Sequence, residues 1–90
     1  MFRLWVKVIK ESRLLKDTVI VDSSDKTRTH KIFDGLEAAC MEFDLGKPIW
    51  LDSTIANFKR LGKARFTADN FIEPIDFDYM EIQILEEDFL

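Results

Sequence analysis

Ninety residues, 47% hydrophobic and 33% charged, predict one folded domain. A single cysteine excludes an internal disulfide, and three glycines and two prolines leave little linker. No apolar run approaches the roughly 20 residues of a membrane-crossing helix. The net charge of −4 is arranged in blocks: residues 1–33 carry +4, 34–56 carry −4, 57–66 carry +4, and 67–90 carry −8. The apolar N-terminus MFRLWVKVIK is interrupted by charge every third or fourth residue, which does not fit a secretory leader. A cytoplasmic protein without a membrane partner is the expectation.

Residues 2–10, FRLWVKVIK, alternate and predict a strand. Phe2, Leu4, Val6 and Val8 form its apolar face, and Arg3, Trp5, Lys7 and Ile9 form a mixed face. Residues 14–22, LLKDTVIVD, contain the β-branched run TVIV and predict a second strand. The link ESR has hairpin length but not the Asn-Gly signature, so its turn type stays open.

Ser23, Ser24, Asp25 and Thr27 can each cap a helix. Ile32, Phe33, Leu36, Ala39, Cys40 and Phe43 then recur at helical spacing, predicting a helix over about 27–45. Gly46 and Pro48 would end it. PIWL, residues 48–51, reads as a short buried strand. Asp52 and Ser53 cap a second helix with Ile55, Phe58, Leu61 and Gly62 on one face. That helix ends at Gly62 or, because Phe66 keeps its period, near residue 67.

Pro74 breaks any structure near FIEPID, and a closing strand follows over about 77–86. Met80, Ile82 and Ile84 lie on one side of it, Tyr79 and Leu85 on the other. The order β-β-α-β-α-β gives an α+β domain over residues 1–90: a mainly antiparallel sheet with two helices on one face. The first and last strands are expected to pair, because Arg3, Lys7 and Lys10 could then oppose Glu81, Glu86 and Glu87.

No catalytic constellation emerges. Cys40 and His30 lie ten residues apart on one predicted helix, about 15 Å along its axis, and cannot meet. Cys40 belongs to the apolar stripe, and His30 has Asp34 as its neighbour one turn on. Asp76 and Asp78 would share one strand face, with Glu81 on the other. No Cys/His cluster, calcium-loop pattern or glycine-rich phosphate loop is present, so neither metal nor cofactor is expected. Gly35, inside the first helix, suggests a close helix–sheet approach.

Three contact chemistries stand out. Trp5, Ile9, Tyr79 and Leu85 would form an apolar patch on the mixed sheet face unless a loop or Phe89 and Leu90 cover it. Lys59, Arg60, Lys63 and Arg65 make the segment NFKRLGKARF basic, as a nucleic-acid contact requires, although the overall pI is near 4.9. Asp76, Asp78, Glu86 and Glu87 could fill a partner's basic groove. The leading expectation is a non-enzymatic protein-binding module, with self-association as one form of that binding. A nucleic-acid binder and an acidic inhibitor are the alternatives.

Overall fold

Alternation produces β1, Phe2–Lys10, with Phe2, Leu4, Val6 and Val8 at most 2% exposed. In the computed structural model, which describes residues 1–87, β1 joins β2, Arg13–Asp22, through a two-residue turn. Glu11 and Ser12 form it with φ of 52° and 64°, the mirror-image turn whose twist suits a hairpin. Neither residue is glycine, so the turn is strained. The Glu11 N–H donates to Asp78 Oδ2 at 2.8 Å, which holds the turn in place. Residues 88–90 lie outside the described residues, and with them any covering role of Phe89 and Leu90.

Helix α1, Arg28–Glu42, starts at Thr27, whose hydroxyl accepts from the His30 N–H. It buries Ile32, Leu36, Ala39 and Cys40, but not the whole expected stripe: Phe33 is 47% exposed. Its end is set by Asp44, not Gly46. Asp44 takes the left-handed conformation with φ of 57°, and the Leu45 N–H reaches back to the Cys40 carbonyl at 2.8 Å. Gly35 lets the helix settle on the sheet, since a Cβ there would sit 3.1 Å from Leu4 Cδ2.

PIWL is not a strand. Pro48 is buried and Trp50 is half-buried, but Ile49 and Leu51 are exposed. The segment is tied to Asn70: the Ile49 N–H donates to the Asn70 carbonyl, and the Asn70 side-chain amide donates to the Ile49 carbonyl. A short apolar run needs a neighbouring strand to become one, and here a side chain and a loop carbonyl occupy its backbone groups.

Helix α2, Asp52–Leu61, has Leu51 at its N-cap with no side-chain bond, so Asp52 and Ser53 lie inside the first turn. It buries Thr54 and Phe58 and leaves Ile55 and Leu61 exposed. Gly62 stops it in the left-handed conformation, and the chain turns into β3, Lys63–Phe66. A 3-10 turn, Ala68–Asn70, and a loop lead to β4, Tyr79–Glu86. The element order is therefore β-β-α-α-β-β: the short strand follows the second helix and does not precede it.

The sheet is antiparallel throughout, in the order β2-β1-β4-β3. The expected α+β class and the pairing of first and last strands both hold. Lys7 faces Glu81 and Arg3 faces Glu86, whereas Lys10 faces Arg13 and Glu87 pairs with Arg28. Both helices cover the Phe2–Val8 face. Trp50 completes the core edge-to-face against Phe58 and Phe66, with centroids 5.6 and 5.0 Å away. Among the described residues no helix is long and apolar enough to cross a membrane.

Candidate interaction surfaces

Among the described residues no helix covers the second face of the sheet. Cross-strand register builds it row by row. Arg65, Glu81, Lys7 and Asp17 form one row, Lys63, Gln83, Trp5 and Val19 the next, and Tyr79, Ile9 and Leu14 lie on the far side. Trp5, Ile9 and Tyr79 therefore do share this face, and all three are half-buried. Leu85 is the extra residue between Ile84, opposite Leu4, and Glu86, opposite Arg3, in an irregularity of β4. It is 40% exposed and breaks the alternation that placed it with Tyr79.

This face is polar where its rings are. The Trp5 indole N–H donates to Asp17 Oδ2 at 2.8 Å, and Lys7 Nζ lies 4.0 Å from the centre of the Trp5 ring. The Arg65 guanidinium lies 4.4 Å from the Tyr79 ring centre. β2 and its bulge add exposed apolar groups at the margin: Leu14 at 51%, Leu15 at 53%, Val19 at 42% and Val21 at 54%. TVIV is visible in the sequence, but its place at the sheet margin depends on strand order.

β2 is ten residues long and lies at one edge of the sheet. The Ile9 carbonyl accepts from the Asp78 N–H, next to β4, so odd-numbered residues of β1 address β4 and even-numbered ones address β2. Their partners Lys16, Thr18, Ile20 and Asp22 direct their backbone groups to β1. Asp17, Val19 and Val21 consequently direct theirs outward. The other edge strand, β3, has four residues.

The basic segment does not form one helical face. Lys59 and Arg60 end α2, with Arg60 hydrogen-bonded to Asn57, whereas Lys63 and Arg65 project from β3. Arg60, Lys63 and Arg65 do gather around a shallow depression of about 310 Å³, and Lys59 lines a separate cleft. Glu81 lies in the depression, and Arg65 binds it at 3.3 Å. Phe58 and Phe66 are buried, which leaves neither ring to stack a base.

The acidic residues are dispersed. Asp76 and Asp78 precede β4, so they occupy a loop and do not share a strand face. Asp78 holds the hairpin turn, Glu86 pairs with Arg3 at 3.3 Å, and Glu87 pairs with Arg28.

Cys40 is buried, and burial pushes its thiol up to about 11, so it is protonated at neutral pH. His30 is exposed in the first turn of α1. Among the described residues no group of three His, Cys, Asp or Glu is placed to hold a metal ion. Comparison with protein-family models, curated proteins and solved structures finds no match to this chain.

Proposed function

We propose that this chain is a non-enzymatic, cytoplasmic protein-binding module that self-associates through the free edge of β2. The outward backbone groups of Asp17, Val19 and Val21 carry the reading. A ten-residue edge flanked by exposed Leu14, Leu15, Val19 and Val21 is a template for another strand. Two copies related by a two-fold axis would extend the sheet in antiparallel fashion.

Solution mass by light scattering, at low and high salt, tests this. A dimer that persists in high salt is expected, since backbone bonds and apolar contacts resist screening. Val19→Pro removes one outward N–H and no bond to β1, so it is expected to yield a folded monomer. A wild-type chain that is monomeric throughout would overturn self-association. A Val19→Pro chain that stays dimeric with an unchanged circular dichroism spectrum would exclude the β2 edge as the contact.

A nucleic-acid contact draws support from the gathering of Arg60, Lys63 and Arg65. Against it stand the net charge of −4 and the commitment of Arg65 to Glu81. Saturable, salt-sensitive binding of a single-stranded oligonucleotide, lost on Arg60→Gln with Lys63→Gln, would be required to prefer it.

A further inference from the structure

On the helical side of the domain, α1, α2 and the segment joining them leave a cleft of about 190 Å³. Phe33, Trp50, Ile55 and Phe58 supply its apolar lining, and Arg28 and Lys59 stand among them as its charged residues. Phe33 is 47% and Ile55 36% exposed. The ring centres of Phe33 and Phe58 lie 5.8 and 5.6 Å from that of Trp50, both edge-to-face, so the lining is preorganised by ring packing. Drug-sized ligands and cofactors occupy about 300 Å³ or more, which this cleft does not offer. It has room for one large apolar side chain.

The charge around it is equally selective. Both charged lining residues are cations, in a protein whose net charge is −4. Arg28 already holds a carboxylate, that of Glu87, through its Nε. We propose that the cleft binds an acidic amphipathic peptide segment of a partner protein. An aromatic or leucine side chain would enter between Phe33 and Ile55, with flanking carboxylates on Arg28 and Lys59. This inference is independent of the β2 edge, which lies on another surface.

The test uses the full chain carrying Trp5→Phe, so that Trp50 is the only indole reporter. The probe is the acetylated, amidated peptide EEDFL, with KKKFL and EEDAA as controls. A saturable change in Trp50 emission is expected with EEDFL alone. In the chain that also carries Arg28→Gln and Lys59→Gln the affinity is expected to fall about tenfold or more. No response to EEDFL, or an equal response to KKKFL or EEDAA, would overturn the proposal. So would a response seen only in a chain shortened to end at Glu87, which would assign the cleft to the protein's own last residues. Unchanged far-ultraviolet circular dichroism in each variant separates loss of binding from loss of fold.

Discussion

Lys7 and Glu81 oppose each other across β1 and β4, with Lys7 Nζ 3.5 Å from Glu81 Oε1. Arg65 reaches the other oxygen of Glu81 from β3 at 3.3 Å, so one carboxylate ties three strands together. It does so on the face that no helix covers among the described residues, yet the Glu81 side chain is only 10% exposed, with Lys7 and Arg65 on either side of it. Removing it leaves two cations facing each other in a partly dry site. Glu81→Ala is expected to destabilise the fold by about 2 kcal/mol in urea denaturation. A change within about 0.5 kcal/mol would mean that water replaces the carboxylate without penalty.

Asn70 is 3% exposed, and its side chain joins three segments. Its amide nitrogen donates to the Ile49 carbonyl at 2.8 Å and to Thr54 Oγ1 at 3.0 Å, and its oxygen accepts from the Thr67 N–H at 3.0 Å. Asn70→Ala strands these groups without partners, at an expected cost of about 3 kcal/mol. Thermal unfolding with and without the substitution measures it, and a melting temperature equal to that of the wild type would refute the joining role.

Gly62 joins α2 to β3 with φ of 70°, its N–H bonded to the Phe58 carbonyl and its carbonyl to the Ile84 N–H. A Cβ there would meet no atom within 4 Å, so any loss on substitution comes from the backbone alone. Gly62→Ala is expected to destabilise by about 1 kcal/mol. Gly46 is also open but has no positive φ, and Gly46→Ala is expected to stabilise by about 0.5 kcal/mol. Equal effects at the two sites would disprove the distinction.

The Ser24 hydroxyl and the Ser24 N–H hold the Asp22 carboxyl at about 2, down from an ordinary 3.8, with Lys26 adding a smaller contribution. A lowered pKa means that the folded state binds the proton less readily than the unfolded chain. The stabilisation is complete above pH 3.8 and fades as pH falls toward 2. Carboxyl carbon resonances followed by NMR should titrate with a midpoint near 2 for Asp22. In Asp22→Asn the acid-induced loss of stability over that window should shrink. A midpoint at the ordinary value would show that the turn does not bind the carboxylate.

Period and charge made part of this architecture legible. The alternation of Phe2 to Val8 marks one buried face whatever the neighbours, and the Lys7–Glu81 and Arg3–Glu86 pairs follow once β1 and β4 are antiparallel. The close approach at Gly35 was readable because it is a local demand of backbone geometry, whereas Thr27 was one of four capping candidates and only the structure chose it. β3 was not readable. Phe66 lies eight residues after Phe58, and that spacing fits both a helical and an alternating period. Only the left-handed Gly62 and the exposed flank of β4 decide between them. The Ile49–Asn70 bonds, which keep PIWL out of the sheet, span 21 residues and carry no signal in either segment.

The sequence by itself thus determined the class of the domain, its buried strand face and the sign of its charged blocks, since these depend on residue type and short-range periodicity. The tertiary structure alone decided which strand is left at the edge, how the cations of residues 59–65 divide between two surfaces, and where a cleft opens between the helices. Each of these depends on strand order and helix packing, which are set by contacts far apart in the chain and compete at similar energies until the whole core closes.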